Sequence, residues 1–133
     1  MQLNPYLLFK GQCEAAMKFY EKCLDGKITM IMTYGDSPAA SHVPAELGKQ
    51  IIHATLTLGD FQLQASDCPP DKYHKPQGFA ITLQINDPAK GESIFNALAE
   101  NGKITMPYGK TFWAKGFGQL EDKFGIPWMV NCS

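Results

Sequence analysis

The chain has 133 residues, 44% of them hydrophobic and 19% charged, with 12 basic and 13 acidic side chains. That length suits one domain or two small modules sharing a core, and a chain of this size buries about two thirds of its unfolded surface without disulfide staples. A net charge of −1 supplies no basic excess for a phosphate backbone, and no apolar stretch reaches the roughly 20 residues of a membrane span, so neither nucleic acid nor membrane is an expected partner.

The first residues, Met1-Gln2-Leu3-Asn4-Pro5, lack the basic and apolar regions of a secretory signal, and a cytoplasmic location is expected. Cysteine use agrees. Cys13, Cys23, Cys68 and Cys132 are scattered, with no Cys-x-x-Cys pair, and read as small buried hydrophobes rather than a disulfide framework or a zinc site.

A strand is expected over 3–9, followed by a helix over 13–24 in which Ala16, Phe19, Tyr20 and Cys23 recur at the spacing of one buried face. Asp25-Gly26 ends it, with Gly26 expected as the left-handed cap. A β-rich run occupies 27–34 and breaks at Gly35-Asp36-Ser37-Pro38. Residues 39–49 read as a long loop with one helical turn. Residues 51–58 and 61–66 read as a hairpin joined by Gly59-Asp60. Three prolines in 67–76 oppose regular structure. Beyond them 79–85 alternates apolar and polar residues as a strand does. Asp87-Pro88 then opens a helix, with Asp as N-cap and Pro at its first position. That helix turns Ile94, Phe95 and Leu98 inward and stops at Asn101-Gly102. Strands are expected from 103, over 112–120 and over 126–132, with Pro127 at an edge or bulge.

The halves match. Gly-Lys-Ile-Thr-Met occurs at 26–30 and again at 102–106, and the same offset of 76 superposes Phe19 on Phe95, Leu7 on Leu83 and Phe9 on Ile85. Shared residues at the same point of two βαβββ units indicate an internal duplication. The expected organisation is a first module at 1–67, a linker at 68–77 and a second module at 78–133, together one structural domain.

A paired βαβββ repeat of this length resembles the vicinal oxygen chelate superfamily, which includes glyoxalase I, extradiol dioxygenases and the fosfomycin and bleomycin resistance proteins. Local runs point to its PhnB-like branch, often labelled 3-demethylubiquinone-9 3-methyltransferase. Among them are Pro5-Tyr6-Leu7, Tyr34-Gly35-Asp36-Ser37-Pro38, Ile52-His53-Ala54, Thr111-Phe112-Trp113-Ala114 and Asp122-Lys123-Phe124-Gly125-Ile126-Pro127-Trp128-Met129. The resemblance implies an α+β fold in which two tandem βαβββ modules form a cup-shaped mixed sheet with helices outside. It also implies a homodimer and a small-molecule ligand in the cup.

The superfamily's usual mechanism uses a divalent metal held by His and Glu, acting as a Lewis acid. The resemblance places its four ligand positions at Pro5, Gln64, Phe79 or Ala80, and Met129. Pro, Phe and Ala cannot bind a metal, Met is a soft thioether and Gln a weak donor, so no cofactor is expected at the standard site. The methyltransferase label is set aside as well, because no glycine-rich loop follows the first strand and nothing indicates a parallel nucleotide-binding sheet. Gly116-Phe117-Gly118 lacks the third glycine and the following helix of a nucleotide motif.

His53 is the best remaining catalytic candidate, as a general base or ligand donor facing the cup; the competing reading is a strand histidine satisfied by a backbone carbonyl. Tyr34, Gln64, Asp67, Trp113, Phe117 and Trp128 are the candidate ligand-binding residues, although strand aromatics also fill cores and interfaces. The expected function is therefore binding of a small organic ligand without the standard metal. One alternative is a glyoxalase-like lyase, isomerase or dioxygenase whose divalent metal is displaced to His53 and Asp67. The other is a non-catalytic interaction module.

Overall fold

Alternating and helical spacings in the sequence become eight strands and two α-helices in a computed structural model that describes residues 1–133. In chain order these are β1 (Tyr6–Phe9), α1 (Cys13–Leu24), β2 (Lys27–Thr33), β3 (Ile51–Leu58), β4 (Phe61–Asp67), β5 (Ile81–Gln84), α2 (Pro88–Ala99), β6 (Lys103–Gly109), β7 (Gly116–Glu121) and β8 (Pro127–Cys132). The chain divides into two compact units, Met1–His74 and Lys75–Ser133.

Each unit is a βαβββ module. The first sheet has the order β1-β4-β3-β2 and the second β5-β8-β7-β6, so the same topology occurs twice. The first strand of each sheet runs parallel to the last, and the remaining pairs are antiparallel. In the first unit α1 sinks Cys13, Ala16, Met17 and Tyr20, and packs chiefly on β3. Leu7, Phe9, Ala54, Leu56, Leu63 and Ala65 supply the sheet's share of that core. In the second unit α2 packs on β7, β8 and β6, with Phe95 and Leu98 buried against Leu120, Trp128 and Val130. Each fully buried large apolar side chain contributes about 1.5–3 kcal/mol.

Several local expectations need correction. The first strand begins at Tyr6 rather than residue 3, and the fifth at Ile81 rather than 79. The loop over 39–49 holds two short 3₁₀ turns, Ala40–His42 and Ala45–Leu47, instead of one. Ile94 is only half-buried. Cys13 and Cys132 are buried, whereas Cys23 and Cys68 are only partly covered. Asp67 ends β4 and is buried, so that strand runs one residue beyond its expected end at 66. Pro127 opens β8, which lies inside its sheet; the first residue of a strand is a position that proline tolerates.

The helix stops follow a different logic from the expected one. Asp25 (φ 55) and Asn101 (φ 58) take the left-handed conformation, while Gly26 and Gly102 do not. Asn and Asp tolerate that region better than other side chains. The glycines serve close packing. A Cβ on Gly102 would run into the Glu121 carbonyl oxygen, and one on Gly26 would stand 2.7 Å from Leu58 Cδ2. The repeated pentapeptide thus opens with a residue that lets each helix end press against its own sheet.

Candidate functional site

Alternation divides the strands of the first sheet between two faces. Leu7, Phe9, Ala54, Leu56, Leu63 and Ala65 take the face covered by α1. Tyr6, His53, Thr55, Gln62 and Gln64 take the other, which no helix of this unit covers.

On that open face three side chains form a chain of hydrogen bonds. Tyr6 Oη lies 3.0 Å from His53 Nδ1, and His53 Nε2 lies 3.2 Å from Thr55 Oγ1. The Tyr6 and His53 rings are 5.6 Å apart between centroids. A neutral imidazole donates through one nitrogen and accepts through the other, and hydroxyls satisfy either tautomer. His53 is therefore held by two side-chain hydroxyls, not by a backbone carbonyl. Thr55 is 7% exposed and Tyr6 45%, so the phenol is the solvent-facing end of the chain. For His53 to take a proton from a bound molecule, one hydroxyl must give way, and Tyr6 is the accessible one. Gln64 lies beside this group, directly opposite Tyr6 on β1 and Thr55 on β3. Sequence reasoning placed Tyr6 in a strand but assigned it no role. Its alternation with buried Leu7 and Phe9 was the available signal.

The duplication fixes matched positions. Tyr6 pairs with Gln64 and Thr82 with Met129, and Tyr6 and Thr82 are 76 residues apart. Thr55 likewise pairs with Gln64, and Gln119 with Met129. One pleat further along, Phe117 in the second sheet holds the place of His53 in the first. The first-strand positions opposite Gln64 and Met129 are thus Tyr6 and Thr82, rather than Pro5 and Phe79 or Ala80. A phenol already bonded to His53, a carboxamide, an alcohol and a thioether do not match the imidazole and carboxylate donors of a divalent site. No group of three or more His, Cys, Asp or Glu side chains stands together in the structure. The residues present do not fit the superfamily's metal.

A displaced site on His53 and Asp67 is not assembled either. Asp67 Oδ1 accepts the N–H groups of Gly11 at 2.8 Å and Cys13 at 3.0 Å, and Oδ2 accepts that of Ile51 at 2.9 Å. This carboxylate ties the end of β4 to the start of α1 and the start of β3. Its charge, together with burial and Glu14, pushes the Cys13 thiol up, burial being the largest cause. Tyr34 belongs to the same corner, because its hydroxyl donates to the Asp67 carbonyl at 2.6 Å. Burial, and then Asp67, raise the Tyr34 hydroxyl above its ordinary value.

In the second unit the buried carboxylate of Asp122 closes the turn between β7 and β8. Oδ1 accepts from the N–H groups of Phe124 and Ile126, and Oδ2 from Trp128 Nε1 at 2.8 Å. Trp128 is 1% exposed, so its indole is core and not a binding wall. Trp113 differs. It is 49% exposed and packs edge-on between Phe112 and Phe117, with centroids at 4.7 and 5.2 Å. The glycines flanking Phe117 make room for Tyr108 and Phe95, which settles why that run contains them.

Comparison with known proteins agrees with this geometry. Residues 2–130 match the Glyoxalase/Bleomycin resistance protein/Dioxygenase superfamily, and the chain belongs to that superfamily. Within it, the chain is 36% identical to Protein YjdN of Escherichia coli (strain K12), over 98% of this chain and 95% of that protein. The structure of PA1353 from Pseudomonas aeruginosa shares 43% identity with a TM-score of 0.92, covering 100% of this chain and 98% of that one. The PhnB protein of Bacillus cereus, which carries a 3-demethylubiquinone-9 3-methyltransferase name, shares 28% identity with a TM-score of 0.84 over the whole of both chains. The chain is thus PhnB-like in sequence and fold. No helix is long and apolar enough to cross a membrane.

Proposed function

We propose that this PhnB-like protein binds a small organic ligand directly through its side chains, without the superfamily's His/Glu metal. The observation that carries this reading is the open face of the first sheet. The Tyr6–His53–Thr55 chain offers paired donors and acceptors there, and Gln64 stands where a metal ligand is expected. In the second unit, half-exposed Trp113, packed on the buried Phe117 ring, supplies an aromatic surface of its own. Asp67, Tyr34 and Trp128 hold the frame on which these residues stand. The protein works as a homodimer in this reading, and light scattering is expected to give the mass of two chains.

The test is a screen of small polar organic fragments by NMR, with resonances of the protein assigned. Binders are expected to shift Tyr6 and His53 signals. His53→Ala and Tyr6→Phe are expected to fold normally and to weaken those binders about fivefold, the worth of a hydrogen bond or two. Binding that ignores both substitutions would refute the reading.

A further inference from the structure

β2 is the end strand of the first sheet, and no strand pairs with its outer side. Thr29, Met30 and Ile31 are exposed on it, and Lys27 is its only charged residue. An apolar edge of this kind offers a row of open N–H and C=O groups to a second strand, and proteins guard such edges with proline or charge.

The duplication supplies a guarded copy of the same edge. β6 is the end strand of the second sheet, and its Lys-Ile-Thr-Met start repeats that of β2. The ladder shift between Ile28 and Met30 recurs between Ile104 and Met106. The offset of 76 then sets Pro107 at the position of Ile31. Proline inside an edge strand sits where the N–H would face away from the sheet. The Ile31 N–H therefore faces outward, and β2 keeps the donor that β6 lacks. Tyr34 agrees: its N–H bonds inward to the Gln50 carbonyl at 2.9 Å, and N–H directions alternate along a strand.

We propose that β2 pairs antiparallel with β2 of a second copy of this chain, across a two-fold axis at Ile31. The proposal rests on the homodimer reading above and names the surface that joins the two chains. An antiparallel pair about a two-fold axis is self-complementary. With Ile31 opposite itself, Met30 of each copy faces Met32 of the other, so thioether meets thioether. Lys27 opens the strand, and Asp36 is held at its far end by the Thr33 hydroxyl, which donates to Oδ2 at 3.1 Å. The same register sets Lys27 opposite residue 35 of the second copy, beside that copy's Asp36. Opposite charges thus meet at both ends of the paired strands, and like charges meet nowhere along them.

Light scattering and sedimentation of the full-length chain test the pairing, with the wild type expected at the mass of two chains. Ile31→Pro copies a residue that β6 already carries. Its circular dichroism is expected to match the wild type, while it sediments as a monomer at concentrations where the wild type is a dimer. Lys27→Glu reads the same contact from an exposed side chain and without proline. It sets a like charge beside Asp36 of the second copy and is expected to raise the dimer dissociation constant about fivefold, most of which Lys27→Glu combined with Asp36→Lys should recover. A dimer unchanged in Ile31→Pro, or indifferent to Lys27→Glu, would overturn this surface and leave the homodimer reading standing. A monomeric wild type would overturn both and leave the edge to a strand of another protein. Neither result bears on ligand binding through His53.

Discussion

Asp67→Ala is expected to lower unfolding stability by about 3–5 kcal/mol, read by urea denaturation. The carboxylate accepts three backbone N–H groups, two of them on the buried residues Cys13 and Ile51. Alanine leaves those donors without a partner inside the protein, where the unmade bonds cost most. Asn is not a remedy. Its amide keeps one acceptor oxygen but presents N–H to an N–H on the other side, so Asp67→Asn should recover only part of the loss. Were Asp67 a metal or substrate ligand instead, the alanine variant would keep its stability and lose only binding. Stability therefore separates the two roles.

Trp128→Ala is the second large effect, with an expected loss of about 3–5 kcal/mol by the same measurement. The indole is buried in the core of the second unit and donates to Asp122 Oδ2. Trp128→Phe keeps most of the packing but strands that carboxylate oxygen, so a loss of about 1–2 kcal/mol is expected. The graded pair distinguishes packing from hydrogen bonding. A ligand-wall role would predict near-native stability for both variants.

Much of the architecture was legible because the chain states it twice. The helix over 13–24 needed only its apolar spacing, and Asp87-Pro88 read correctly as cap and first turn, with Asp87 Oδ1 accepting from the Ala89 N–H at 3.0 Å. The repeated Gly-Lys-Ile-Thr-Met located the start of β2 and β6 alike. What failed was local chemistry that depends on partners distant in sequence. Gly26 carries the expected residue type for a cap, yet its purpose is set by Leu58 and Thr57 across the sheet. Asp67, next to a proline-rich segment, looks like a turn residue until the starts of α1 and β3 are placed around it. The same holds for the site. His53 was visible as a strand histidine, but its partner Tyr6 lies 47 positions away and becomes a neighbour only through the parallel pairing of β1 with β4 and the antiparallel pairing of β4 with β3. The aromatic candidates divided for a similar reason. Trp128 alternates into the core side of β8, whereas Trp113 lies before β7 in a segment with no such constraint.

The central claim is that this member of the superfamily acts without the usual His/Glu metal, and metal content tests it most directly. Untagged protein would be taken for elemental analysis and then for thermal melts with added Mn, Ni, Co and Zn ions. The expected result is substoichiometric metal and no saturable rise in melting temperature. Stoichiometric metal, or a large saturable stabilisation by one of these ions, would mean specific binding to the folded state and would contradict the account.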